Sequence, residues 1–207
     1  MEKQLLSKTV LERVPLYLHY LKGQSLDGTN TISSAAIAKG VKLGEVQVRK
    51  DLALISGAGK PKIGYRKDEL IEHLTAVVNS EGVVNAVIIG AGKIGRALLG
   101  YEGFSEYGMN IVAAFDNDPS KTSLATDKSV LYISELPYVC KEYGVKIGII
   151  AVPESQAQTA CDALVENGIK AIWNFAPINP DVPDGVIVKN ENLAASLAVL
   201  SAKLKKQ

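Results

Sequence analysis

The sequence predicts an α/β protein with a small helical domain followed by a doubly wound parallel sheet. Three observations predict it. From residue 83 onward, short apolar runs alternate with helical stretches, the pattern of strands joined by crossover helices. A glycine turn, Gly90-Ala91-Gly92-Lys93-Ile94-Gly95, lies between the first of these runs and the next helix. Before residue 83 the chain reads as helices and is locally basic. The expected divisions are 1–82, 83–189 and a final helix over 190–207, with Gly82 at the first boundary.

In chain order, a helix is expected from about Lys3 to Lys22. Pro15 interrupts it, giving a kink or two short helices. Leu16, Tyr17, Leu18, Tyr20 and Leu21 supply its apolar surface. Thr31 to Ser34 offer an N-cap for a helix that stops at Gly40. A turn over 41–44 leads to a third helix, Glu45 to about Ile55, with Val46, Val48, Leu52 and Ile55 as apolar positions. This is a helix-turn-helix outline. The basic hairpin-like stretch 59–65 after it makes a winged-helix reading, and a linking helix follows over 68–79.

In the second part, strands are expected over 83–89, 110–116, 130–133, 146–152, 170–175 and 186–188. Helices are expected after the glycine turn, from Ser134 to near Gly144, from Ser155 to Asn167, and from Asn190 to Lys203. Pro153 stops one strand, and Gly168 ends the helix before the next.

Strand, glycine turn, helix is the context in which G-x-G-x-x-G signals dinucleotide binding. Gly90 permits the tight turn, Gly92 lets backbone approach a pyrophosphate, and Gly95 lets the helix pack close to the sheet. The helix from Lys93 aims its N–H groups and positive dipole end at phosphates. Asp116 closes the next strand, 21 residues after Gly95, where a carboxylate can accept from ribose hydroxyls. Asn117 and Asp118 follow with no arginine, so a 2′-phosphate would meet like charge and NAD(H) is favoured over NADP(H). The competing reading is a glycine turn with a purely structural role.

Between Lys39 and Lys67, eight basic residues oppose two acidic ones, while the segment from 83 to the end carries more acids than bases. Such asymmetry points one end at a polyanion. Gln47, Arg49 and Lys50 lie on the third helix and Lys42 in the turn before it. Arginine and lysine pair with guanine edges, glutamine with adenine, and cations that reach no base neutralise phosphates. Lys60 and Lys62 would reach backbone or minor groove. The bland alternatives are a solvated basic face or a helical dimerisation module.

Other classes fit less well. Cys140 and Cys161 do not form C-x-x-C and read as buried free thiols; His19 and His73 are unaccompanied, so no metal-ligand spacing exists. No histidine follows His73, and the alternating pattern uses nearly all the chain after Asp116, leaving no substrate domain. An enzyme is therefore not expected. No apolar run approaches the roughly 20 residues of a membrane span, and the start lacks a secretory h-region. A soluble cytoplasmic protein is expected.

Taken together, the motifs resemble the Rex family of redox-sensing transcriptional repressors. The resemblance spans nearly the whole chain. It rests on Arg13-Val14-Pro15-Leu16-Tyr17, Ser33-Ser34-Ala35, Gln47-Val48-Arg49-Lys50-Asp51-Leu52 and Ile63-Gly64-Tyr65. It continues in Gly95-Arg96-Ala97-Leu98-Leu99-Gly100-Tyr101, in Phe115-Asp116, and in Ala151-Val152-Pro153 through Gly168-Ile169-Lys170 to Asn174-Phe175-Ala176-Pro177. The resemblance implies a homodimer with the last helix swapped onto its partner, binding inverted-repeat operator DNA. NADH would release the DNA, and NAD+ would compete and permit binding. It also implies DNA contacts by Ser33 and Tyr65, nucleotide contacts by the turn and Arg96, and Tyr101 near the nicotinamide.

This chain departs from the family pattern in three places. Lys60-Pro61-Lys62 stands where the wing usually carries Lys-Arg-Gly. Gly92-Lys93-Ile94-Gly95 replaces Gly-Asn-Leu-Gly, adding a cation. Asn192 stands where an aspartate would pair across the dimer with Arg13, and an amide forms no ion pair. Two other functions remain as alternatives: a small NAD-dependent oxidoreductase, and a CoA-binding module like the Rossmann domains that 152–170 also resembles.

Overall fold

The computed structural model describes residues 6–24, 30–79, 82–122 and 129–204. The chain divides into two compact units, Met1–Gly82 and Val83–Gln207.

In the first unit, α1 (Lys8–Leu11) is capped by Ser7, whose hydroxyl accepts from the Val10 N–H. Residues 3–5 of the expected first helix lie outside the described residues. α2 (Val14–Lys22) carries Pro15 in its first turn, where a missing N–H leaves no bond unmade. The proline thus divides two short helices. The short strand β1 (Thr31–Ile32) precedes α3 (Ser34–Val41), which runs one residue past the expected stop. Lys42 ends it in the left-handed region at φ +56°. α4 (Glu45–Ser56) follows, then β2 (Tyr65–Arg66) and α5 (Lys67–Val78). β1 and β2 pair antiparallel, with Ile32 opposite Tyr65.

Val14, Tyr17, Leu18, Leu21, Ile37, Val48, Leu52, Leu70 and Leu74 form the core of this unit. Two expected apolar positions, Leu16 and Val46, face solvent instead. Each lies beside the stripe that its helix turns inward.

In the second unit the elements are β3 (Val84–Ile89), α6 (Lys93–Leu99), β4 (Met109–Asp116), β5 (Val130–Tyr132), α7 (Leu136–Glu142) and β6 (Ile147–Ile150). They continue with α8 (Glu154–Glu166), β7 (Ala171–Asn174), β8 (Ile187–Asn190) and α9 (Leu193–Leu204). All sheet pairings are parallel, in the order β5-β4-β3-β6-β7-β8. The order reverses between β3 and β6, which opens a crevice beyond their carboxyl ends. Val87, Phe115 and Ile150 of the strands pack with Leu136, Cys161 and Leu164 of α7 and α8 on one face. Ile88 and Ala114 pack with Leu99 of α6 on the other. Both cysteines are buried free thiols, and burial pushes their pKa up. Asn190, expected in the last helix, belongs to β8. No helix among the described residues is long and apolar enough to cross a membrane.

Candidate functional site

The glycine turn sits at the reversal of strand order. Gly90 holds φ +104°, and a β carbon there would lie 2.5 Å from the Ala151 carbonyl oxygen. A β carbon on Gly95 would lie 1.8 Å from the Gly90 carbonyl oxygen. At this turn the backbones approach too closely for any residue but glycine. Gly92 differs: nothing lies within 4 Å of its missing β carbon. It faces an open cleft of about 760 Å³, with Gly90, Asp116, Val152 and Pro153 also in the walls. The residues present fit a dinucleotide, because the backbone at Gly92 is bare where a phosphate must approach.

Asp116 lines the same cleft and is tied to the turn. Its carboxylate accepts from the Ala91 N–H at 2.8 Å and the Asp118 N–H at 2.9 Å, and pairs with Lys121 Nζ at 3.2 Å. Burial alone would raise its pKa, but these bonds outweigh burial and the net shift is downward. Lys121 corrects one expectation. The end of β4 does not present only negative charge, because this cation lies on the carboxylate.

Arg96 is held by backbone carbonyls. Its Nε donates to the Ala91 carbonyl at 3.1 Å and its Nη2 to the Lys121 carbonyl at 2.8 Å. It braces the turn against the segment after β4 and is not in the cleft wall. Ala91 is buried and turns its N–H to Asp116. Lys93, Ile94 and Tyr101 are exposed and lie outside the cleft lining. Tyr101 instead starts an aromatic row, edge-on to Phe104 at 5.0 Å, then Trp173 at 6.0 Å, then Phe175 at 4.5 Å. Trp173 Nε1 donates to Glu191 at 3.3 Å.

Sequence reasoning missed Lys121, and Gln156 and Thr159 of α8, which line the cleft. The two α8 residues had one available signal. They stand three apart near the start of the helix after β6, so one face of that helix turns toward the cleft.

In the first unit, Ser33 caps α3, its hydroxyl accepting the Ala36 N–H at 3.1 Å. Lys42, Arg49, Lys50, Lys60 and Lys62 are exposed. Lys60 and Gly64 exchange two backbone hydrogen bonds of 2.8 Å, so Lys62 rides a tight turn at φ +64°. Gln47 is exposed, and its Nε2 donates to Asp51 at 2.7 Å.

Tyr65 is corrected as a DNA contact. Pairing with β1 carries its ring inward, to 7% exposure, with its hydroxyl buried and without a hydrogen-bond partner. Arg13 has a partner within its own chain. Its guanidinium is taken by Asp51, with Nε at 2.6 Å and Nη2 at 3.0 Å. Tyr17 adds its hydroxyl to the same carboxylate at 2.6 Å. Desolvation opposes ionisation of Asp51, yet Arg13, Tyr17 and Gln47 hold its pKa below the ordinary value. An aspartate one place before buried Leu52 was the available sign of this burial. Asn192 caps α9, its Oδ1 accepting the Ala195 N–H at 2.8 Å.

A glycine-turn cleft at the switch point of a parallel sheet, on one chain with a basic helix-turn-helix, defines a class: a nucleotide-binding fold joined to a DNA-binding one. Residues 6–53 match the family described as putative DNA-binding protein N-terminus, and 83–178 the CoA binding domain family. The redox-sensing transcriptional repressor Rex of Carboxydothermus hydrogenoformans is 40% identical over 200 residues, covering 96% of each chain. The crystal structure of RSP in complex with β-NAD+ and operator DNA matches with a TM-score of 0.88 at 34% identity, over 98% of this chain and 94% of that one. RSP in complex with β-NADH matches at 0.84 and 34%, over 98% and 96%. The chain belongs to the Rex family of redox-sensing transcriptional repressors, a family of regulators rather than enzymes.

Proposed function

We propose that this chain is a cytoplasmic repressor that binds operator DNA when NADH is low and releases it when NADH binds. The observation that carries this reading is the cleft at the strand-order reversal, with bare backbone at Gly92 facing Asp116. NAD(H) would lay its pyrophosphate along the turn, and its adenosine ribose would exchange with Lys121 for Asp116. A largely apolar wall favours the neutral ring of NADH over the charged ring of NAD+. Tyr101 lies outside the cleft lining of its own chain, and by family position would stand near that ring. The ligand shifts DNA binding only by its differential affinity for the two states.

The DNA face would be a winged helix: the start of α4 in the major groove, with Lys42, Gln47, Arg49 and Lys50 at bases and phosphates and Ser33 at the backbone. Lys60 and Lys62 serve as wing. The chain works as a homodimer on an inverted repeat. The support is α9, whose Leu193, Leu197, Leu200 and Leu204 form one stripe, each more than half exposed. An apolar stripe of that length calls for a partner, and a swapped helix supplies one. Replacing Leu197 and Leu200 by aspartate should convert dimer to monomer in sedimentation without unfolding the chain.

The test of function is a mobility-shift titration. NADH should release the duplex and NAD+ should not; retention of DNA at saturating NADH overturns the sensing claim. The match of 83–178 to a CoA-binding family supports a second reading. Asp116→Ala discriminates: lost NADH affinity supports the dinucleotide, unchanged affinity supports CoA.

A further inference from the structure

The first turn of α4 places a constraint on one exposed side chain. Asp51 is 1% exposed, and its carboxylate receives four hydrogen bonds. Oδ2 accepts from Arg13 Nε at 2.6 Å and from the Tyr17 hydroxyl at 2.6 Å. Oδ1 accepts from Arg13 Nη2 at 3.0 Å and from Gln47 Nε2 at 2.7 Å. A carboxylate offers about four lone-pair positions, so all are used. Held ionised by a guanidinium, it can only accept.

That fixes the polarity of the Gln47 amide. A free glutamine turns its terminal torsion and offers donor or acceptor at a given place. Gln47 must turn its NH2 to Asp51. With the N–H anti to Oε1 donated there, the syn N–H and Oε1 lie side by side as one edge of fixed order, and Gln47 is exposed. Gln47 is exposed in the first turn of the second helix of the helix-turn-helix, the turn that enters the major groove in such proteins.

We propose that Asp51 makes Gln47 a dedicated adenine reader. Adenine presents an N7 acceptor beside an N6 donor, the complement of that edge. Guanine presents two acceptors, thymine an acceptor and a methyl group, and cytosine a donor. Asp51 is a positioning residue that acts through Gln47 and does not itself reach the base. The proposal rests on the reading that α4 binds DNA.

The test begins with the full-length chain and a random duplex pool. Wild type should enrich a symmetric sequence. Gln47→Ala should lose preference for adenine at one position per half-site and leave the other positions unchanged. Its affinity for the selected duplex should fall roughly 5- to 150-fold, the discrimination of one bidentate contact. Replacing that adenine with 7-deazaadenine, which lacks N7, or with purine, which lacks the N6 amino group, should weaken wild type and leave Gln47→Ala unmoved. Asp51→Asn should relax that position alone. Because this variant can fail to fold, wild-type NMR supplies a second measurement. The Gln47 side-chain amide protons should be widely split and slow to exchange with water. Unchanged preferences in Gln47→Ala, equal analogue effects in both chains, or a fast-exchanging Gln47 amide would overturn the proposal. If wild type enriches no sequence at all, the DNA reading falls first and takes this proposal with it.

Discussion

At the end of β3 the proposed nucleotide site is held by backbone: Gly90 and Gly95 leave no room for a β carbon, and Ala91 offers its N–H to Asp116. Along α4 the proposed DNA contacts are side chains: Gln47, Arg49 and Lys50 are exposed on a helix whose core positions are Val48 and Leu52. The first arrangement is preformed and tolerates almost no substitution. The second is adjustable, and its strength is a sum of separate charges. A site that must shape itself to a pyrophosphate needs the former; a surface that must grip a polyanion needs only the latter, plus one or two oriented side chains.

The largest effect expected from this difference is at Gly95. Gly95→Ala forces a β carbon into the Gly90 carbonyl, so NADH binding should fall at least about 100-fold and unfolding free energy by roughly 1–3 kcal/mol. Calorimetry and thermal melting check both. Gly92→Ala sharpens the point: with no protein atom nearby, the chain should melt as wild type while NADH binding weakens. Next comes Asp116→Ala. A hydrogen bond to a charged group contributes about 1.5–3 kcal/mol, so NADH affinity should drop on the order of 10- to 100-fold, with DNA affinity at zero nucleotide unchanged.

On α4, Arg49→Ala or Lys50→Ala should cost less and act differently. Each should reduce the slope of log K against log salt by about 0.9, measured by anisotropy, and leave NADH binding intact. An Arg49→Ala chain that lost NADH affinity without DNA present would break the comparison. The smallest effect is in acid. Asp51 has a lowered native pKa, so the stability it contributes is present above the ordinary carboxylate value of 3.8. It is lost as pH falls through the lower native value. A circular-dichroism titration should show the first unit giving way in that window.

The same contrast explains what the sequence made legible. Backbone geometry demands particular residues, so Gly90, Gly95 and the spacing to Asp116 could be read directly. The alternation of strands and helices gave the sheet. Side-chain partnerships are set by folding distant segments together, and they were hidden. Asp51 looked like a counter-ion in a basic run; its burial depends on Arg13 and Tyr17, more than thirty residues earlier. Lys121 reaches Asp116 only because the chain doubles back after β4. Tyr65 was a DNA contact by resemblance alone, and two residues of ladder with β1 draw it inward. Asn192 was noted for the charge it lacks, whereas its carbonyl oxygen caps α9.

The aromatic row from Tyr101 to Phe175 has a spectroscopic consequence. Trp173 is the chain's sole tryptophan, and it lies in the second unit. Its emission therefore reports on the packing of the unit that holds the sheet. In one denaturant titration, indole fluorescence follows the surroundings of Trp173 while far-ultraviolet ellipticity follows the helices of both units. The melting order of the two halves can be resolved in the intact chain without attaching a label.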